Sequence, residues 1–310
     1  MSRRTAALIF NPRAGSHRRR DFATEVETVA CALSRAGIDA IQSPTSGPNS
    51  ATDLARRHVA DGVDIVIAAG GDGTLNEVLQ GMAGSATPLA IWPAGTANVL
   101  ARELGLSTEI DDVVETVAHG RPLRIAIGKA GDRYFFLMAG IGLDAAIIRD
   151  VRAGLKATLG EGAFWLVGLA KFFSAAPEPF VVDIDGTQYD AGFVAIGNAS
   201  RYGGSLSLTP DARIDEPVLD VCIFPPKTLA ISYVPNLIAC MTGDPTRFGD
   251  VTYLKTDALR ASSADGERPW VQVDGEVIGQ LPMEFRSVPD ALTVMIPAAA
   301  NCPVSVESKE

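Results

Sequence analysis

Cysteine, histidine and basic charge are all scarce in this 310-residue chain, and long apolar runs are missing. The four cysteines, Cys31, Cys222, Cys240 and Cys302, include no CxxC pair. That argues against a disulfide framework and for a reducing compartment. The three histidines, His17, His58 and His119, form no HxxxH pair, which disfavours a histidine-based zinc site. No run of 18 or more apolar residues occurs, so no spanning helix is predicted. Lys and Arg number 27 against 37 Asp and Glu, a net charge of -10, the opposite of what a nucleic-acid binder needs. The apolar run Ala6 to Phe10, behind a basic tip, is too short for a signal peptide and stops at Asn11-Pro12. A cytoplasmic protein is expected, with peripheral contact at the inner face of the membrane left open.

What is present is an ordinary globular composition, 47% hydrophobic and 21% charged. It excludes disorder as the main state, and the length suggests two domains. The first third alternates short apolar runs with helical periodicity. Strands are predicted at 6–10, 38–41, 63–69 and 89–92, with helices at 22–33, 51–61, from Thr74 and after Thr96. Such βαβ repetition builds a parallel sheet, whose ligands sit beyond the carboxyl ends of the strands. From about residue 121 strand-like runs dominate: 123–127, 134–138, 180–184, 193–196, 218–224, 270–273 and 292–296. Helical insertions are expected near 141–175 and 227–241. The division is therefore 1–120, a nucleotide-binding α/β domain, and 121–310, a β-rich domain whose last residues are candidates to return to the first.

Three turns fall at the carboxyl edge of the predicted parallel sheet. The most informative is Gly70-Gly71-Asp72-Gly73-Thr74-Leu75-Asn76-Glu77, which follows a buried strand and opens a helix. Glycines let backbone N–H groups approach phosphate oxygens, and a helix N-terminus adds partial positive charge. Asp72 beside those phosphates suits a Mg²⁺ ligand, directly or through water. Asn11-Pro12-Arg13-Ala14-Gly15 ends the first strand, and His17-Arg18-Arg19-Arg20 follows. Those bases suit a triphosphate or anionic headgroups, and equally suit a solvated helix start. In Pro93 to Asn98, Thr96 and Asn98 offer groups for ribose, base or phosphate, but in isolation they read as a helix cap.

Three further segments carry open readings. In Val273-Asp274-Gly275-Glu276 an extended chain puts both carboxylates on one side, fit to accept a hydroxyl proton beside a metal. Asp-Gly is also the commonest hairpin turn, and on sequence alone that reading prevails; Asp185-Gly186 is a second such turn. Gly203-Gly204 and Asp211-Ala212-Arg213-Ile214-Asp215-Glu216 are oxygen-rich enough for a hard cation, though such loops are more often solvated turns. Gly162 to Phe173, with Trp165, is apolar nearly all round: a buried helix, or a lip that meets acyl chains.

In order and spacing, Asn11 to Gly15, Gly70 to Glu77, Pro93 to Asn98 and Asp274 to Glu276 resemble the diacylglycerol kinase catalytic-domain family. That family includes bacterial soluble lipid kinases and is similar to sphingosine and ceramide kinases. The GGDGT block belongs to a wider superfamily with NAD kinases and phosphofructokinases; the NPxxG start and late DGE narrow it to lipid kinases. The resemblance implies an α/β nucleotide-binding domain plus a mainly antiparallel β-sandwich-like domain, with the active site in the cleft. It implies ATP and Mg²⁺, with ATP contacting Asn11 to Gly15, Thr45, Gly71 to Glu77 and Thr96. It makes Asp274 or Glu276 the proton acceptor from a lipid hydroxyl at a membrane surface, with a homodimer as candidate assembly. A structural Mg²⁺ loop would use the backbone carbonyls of Arg213 and Val218 and the carboxylate of Glu216. Two departures stand out: Val99-Leu100 replaces an Asp-Phe pair, with Asp144 a candidate substitute, and Glu216-Pro217 replaces Asp-Gly. An NAD kinase-like enzyme and a non-catalytic nucleotide- or lipid-sensing module are the competing readings. An NAD(P)-dependent oxidoreductase is disfavoured, because the first turn lacks GxGxxG.

Overall fold

The computed structural model describes residues 3–14, 22–142, 145, 178–200, 207–263 and 268–299. The expectations for Gly15, His17 to Arg20, Asp144, Gly162 to Phe173 and Gly203-Gly204 lie outside those residues. The chain divides into two compact units, 1–126 with 289–310, and 127–288.

The first unit is a parallel sheet in the order β2-β1-β3-β4, built from β1 (Arg4–Phe10), β2 (Ile38–Pro44), β3 (Ile65–Gly70) and β4 (Leu89–Pro93). Alternation along each strand supplies both faces. Ala6, Leu8, Phe10, Ile65, Ile67, Ala69, Ala90 and Trp92 share a core with Phe22, Val26, Val29 and Leu33 of α1 (Phe22–Arg35) and Val113 and Val117 of α5 (Ile110–His119). Each of those α1 side chains contributes about 1.5–3 kcal/mol on burial, and their three- and four-residue spacing is what made the helix legible. α2 (Ser50–Ala60) and α3 (Asp72–Met82) pack on one another and against β1 and β3, and α4 (Val99–Glu103) is one short turn. The chain leaves β1 for β2 on one side and reaches β3 on the other. The gap between the ends of β1 and β3 is therefore the point where strand order reverses, the usual ligand crevice of open α/β sheets.

The second unit is antiparallel. One sheet runs β12-β11-β10-β7-β14-β15, from β7 (Met138–Gly142), β10 (Phe193–Gly197), β11 (Leu219–Phe224), β12 (Thr252–Thr256), β14 (Trp270–Val273) and β15 (Glu276–Gln280). Its inner residues Ile141, Val194, Ile196, Val221, Ile223, Val271 and Val273 share one core with Phe180 and Val182 of β8 (Phe180–Ile184), Leu259 and Ala261 of β13 (Ala258–Ser263), and Phe285. β8 pairs with β9 (Thr187–Ala191) on one side and with β13 on the other. The result is a sandwich of two layers. On the outer face of the six-stranded sheet, Cys222 and Phe224 meet Tyr233 of a 3-10 turn (Ala230–Tyr233) and Cys240 of α6 (Val234–Met241). β5 (Arg121–Ala130) pairs with β6 (Arg133–Phe135). β16 (Met283–Ile296) belongs to both units by sequence: Met283 to Arg286 pair with β13, and Val294 lies parallel to Leu89 of β4.

Three expectations need correction. The single strand predicted at 134–138 is two, β6 and β7, because the N–H groups of Phe136, Leu137 and Met138 turn to the Asp274 carboxylate instead of continuing a ladder. The helical insertion predicted near 141–175 begins as strand, since β7 runs through Gly142. The strand predicted at 292–296 is the end of a much longer one.

Candidate active site

Register aligns the three predicted turns at one edge. Phe10 is opposite both Pro44 and Ala69, and Gly70 is opposite Pro93. Backbone bonds tie the exits together: the Asn11 N–H donates to Ala69 O at 3.2 Å, Thr45 N–H to Phe10 O at 2.8 Å, and Ala94 N–H to Gly70 O at 2.9 Å. Asn11 folds its own turn, its side-chain oxygen accepting the Arg13 N–H at 2.9 Å and its carbonyl the Ala14 N–H. Pro12 and Arg13 are exposed, and Thr45 is half-buried.

The glycine turn and the Pro93 turn touch backbone to backbone. A Cβ on Gly95 would stand 2.5 Å from the Gly71 Cα, and one on Gly70 would stand 2.7 Å from the Thr74 side chain. At Gly73 nothing lies within 4 Å, so its openness serves no packing purpose. Asp72, the first residue of α3, accepts the Val99 N–H on Oδ1 at 2.9 Å. Burial raises its pKa, and backbone N–H bonds led by Val99 oppose that rise. Asn98, with φ 45°, closes the Pro93 turn on Gly95: its Oδ1 accepts the Gly95 N–H and its Nδ2 donates to Gly95 O, both at 2.9 Å. It precedes α4 without a side-chain cap bond, because Asp72 supplies the acceptor for the helix start. Thr96 is exposed.

The remaining residues of the motif have partners within the first unit. Leu75 and Asn76 are buried. Glu77 accepts the Ala51 N–H at 3.1 Å, and its carbonyl accepts the Thr52 hydroxyl, so it caps α2.

In the second unit Asp274-Gly275 is the hairpin turn joining β14 to β15, with φ 46° and 80° as a type I′ turn needs. Asp274 is therefore not in an extended chain, and the alternation argument for pairing it with Glu276 does not apply. The Asp274 carboxylate accepts Phe136 N–H at 2.8 Å on one oxygen, and Leu137 and Met138 N–H at 3.0 and 3.1 Å on the other. Glu276 pairs with Arg133 at 2.8 Å.

The loop after Leu208 looks different from a metal cage. Glu216 stands between Lys255 Nζ at 2.7 Å and Arg213 Nε at 3.2 Å, and Arg213 also holds Asp215. The Arg213 carbonyl accepts the Glu216 N–H, and Val218 is half-buried. This donor set does not fit a divalent ion, and among the described residues no cluster of three His, Cys, Asp or Glu does. The Asp72 turn fits better: a carboxylate stands beside a floor of two glycines where no side chain could intrude. Sequence reading missed Lys255, Tyr253 and Asp220. The signal was the alternation in Thr252–Thr256, which sets Tyr253 and Lys255 on one face. Cys222 and Cys240 are poor nucleophiles: both are buried, and burial holds Cys240 protonated, its pKa pushed up to about 11.

Residues 5–130 match the family model for the diacylglycerol kinase catalytic domain. The chain belongs to that family. Residues 138–296 match the YegS C-terminal NAD kinase β-sandwich-like domain. A curated diacylglycerol kinase of Staphylococcus saprophyticus is 30% identical over 304 residues, covering 95% of this chain and 96% of its own. One from Bacillus subtilis is 29% identical over 297 residues, covering 94% and 96%. A crystal structure of a diacylglycerol kinase from Bacillus anthracis has the same fold, with TM-score 0.73, 23% identity and coverage of 96% and 99%. The protein is accordingly an enzyme of the lipid-kinase class. Among the described residues no helix is long and apolar enough to cross a membrane.

Proposed function

We propose that this kinase transfers the γ-phosphoryl group of ATP to the hydroxyl of a lipid alcohol, diacylglycerol or a close relative. The observation that carries the reading is the backbone-walled turn Gly70 to Thr74, closed by Gly95 and headed by the Asp72 carboxylate, at the point where strand order reverses. Phosphoryl transfer asks a protein mainly for positioning and charge stabilisation. In this reading Asn11 to Ala14, Thr45, Gly70 to Thr74 and Thr96 hold the nucleotide through backbone N–H and hydroxyl groups. Asp72 holds the Mg²⁺ that accompanies it, which when bound screens the phosphate charge.

Asp274 accepts the proton of the lipid hydroxyl as that oxygen takes the γ-phosphoryl group and ADP leaves. Three backbone N–H donors orient its carboxylate and stabilise its charge. Glu276, ion-paired to Arg133, supports the same hairpin. A lipid acceptor also demands a water–lipid interface. Leu229, Ile231, Ile238, Met241 and Phe248 are five of the six large apolar side chains exposed among the described residues, and all lie within 229–248. The reading therefore includes peripheral contact at a membrane surface.

Incubation with γ-labelled ATP and, separately, diacylglycerol, phosphatidylglycerol, ceramide, sphingosine and NAD tests the assignment. Label in a lipid is expected; label in NAD alone would replace it with the NAD kinase reading, and tight ATP binding with no transfer would point to a sensing module. Asp274→Asn is expected to lower kcat by about 10²–10⁴ with ATP affinity kept. It also puts an amide donor against N–H donors, so the melting temperature must be read alongside.

A further inference from the structure

The loop 211–216 is oxygen-rich, as a hard-cation site would be, yet a cation of the chain's own stands in it. Lys255 lies opposite Asp220 in the β11–β12 ladder, so its side chain rises on the same face as a carboxylate that is 1% exposed. Its ammonium reaches Glu216 Oε2 at 2.7 Å, Asp211 O at 3.4 Å and Asp220 Oδ1 at 3.5 Å. Three N–H donors thus face three oxygens from three places in the chain. Around them, Tyr253 donates to the other Asp220 oxygen at 2.9 Å and accepts the Asp211 N–H at 3.2 Å. Arg213 takes the second Glu216 oxygen at 3.2 Å. A divalent ion would need those oxygens at about 2.0–2.6 Å, in the volume the ammonium fills, and the two positive charges would repel.

We propose that Lys255 is a built-in cation for this loop: it does the cross-linking a divalent metal would do, so the loop folds without metal. Removing the ammonium leaves Glu216 Oε2, Asp220 Oδ1 and the Asp211 carbonyl without their shared cation, and converts those oxygens into a divalent-cation site. Arg213 is shared between Asp215 and the second Glu216 oxygen. The inference concerns loop architecture and stands whichever acceptor the enzyme phosphorylates.

The test is thermal melting of the full chain, without nucleotide, in EDTA and in millimolar MgCl2 or CaCl2, with metal content measured after dialysis. Wild type is expected to melt at the same temperature in all three and to retain no stoichiometric metal. Lys255→Met is expected to melt lower in EDTA by roughly 3 °C or more and to recover part of the loss in Mg²⁺ or Ca²⁺; adding Glu216→Gln should remove the recovery. Lys255→Arg, which keeps the charge, should stay indifferent to metal. Should Lys255→Met fail to fold, the wild-type and Lys255→Arg measurements still decide. A wild-type melt that drops in EDTA and is restored by Mg²⁺ overturns the proposal. So does a Lys255→Met protein that melts like wild type in EDTA or ignores added cations.

Discussion

Gly73 and Gly95 separate two uses of the same residue type. At Gly95 the missing Cβ makes room for the Gly71 backbone, and nothing there can yield. Gly95→Ala is expected to cost about 1–3 kcal/mol and to lower the denaturation midpoint. At Gly73, inside α3 with open space around it, alanine should leave stability unchanged or raise it by up to about 1 kcal/mol. If the turn holds ATP, Gly73→Ala should instead raise KM for ATP. Equal losses of stability in both variants would contradict the packing argument. His58 offers a pH test. Its Nε2 lies 2.8 Å from Ser43 Oγ, and burial, opposed by Asp61, lowers its pKa below 6.5. The unfolded chain therefore binds the proton more readily, so stability is present above about pH 6.5 and falls as pH drops through that value toward the lower folded pKa. Urea denaturation across that range should show a steeper decline in wild type than in His58→Gln; parallel curves would refute it.

At the scale of elements, two ties explain why the edge turns hold their shape. Asp72 of α3 anchors the start of α4 through the Val99 N–H, and Asn98 clamps Gly95 from both sides. The segment 227–250 shows a different logic. Lys227 Nζ reaches Asn236 at 2.7 Å, Asp250 at 2.8 Å and the Ser232 carbonyl at 3.1 Å, while Asn236 donates to Asp250 at 2.8 Å. With the buried Tyr233 and Cys240, these bonds pin α6 to the sheet and leave Ile238 and Met241, three apart on the helix, exposed. Replacing both by serine removes no buried contact. It should leave the melting temperature unchanged and weaken flotation with liposomes; unaltered flotation would end the case for this face.

At the scale of the molecule, β16 matters most. Ala291, Leu292, Val294 and Ile296 are buried, and the Ala291 carbonyl accepts the Gly84 N–H. A chain ending after residue 288 would expose the edge of β4 and lose three large aliphatic side chains worth about 1.5–3 kcal/mol each. Such a truncation is expected to be insoluble or to bind ANS strongly, and a soluble, cooperatively melting product would count against it.

How much of this was readable depended on the range of the interactions. The βαβ rhythm, the three edge turns and the Asp-Gly hairpins are local: spacing, a glycine pair or a turn dipeptide specifies them within about ten residues, and so the α/β class and the nucleotide-turn candidates were legible. β9, β12, β13 and β15 were not, because short half-exposed strands gain their stability from partners far along the chain.

The amino-acid order alone determined the strand–helix alternation of the first third and the turns that punctuate it, since backbone preference and hydrophobic period act between near neighbours. Only the tertiary structure decided that Glu77 caps a helix, that Asp274 gathers three N–H groups, and that Lys255 rests among carboxylates. A polar side chain's role is set by what fills its hydrogen-bonding capacity, and those partners arrive from as far as 138 positions away.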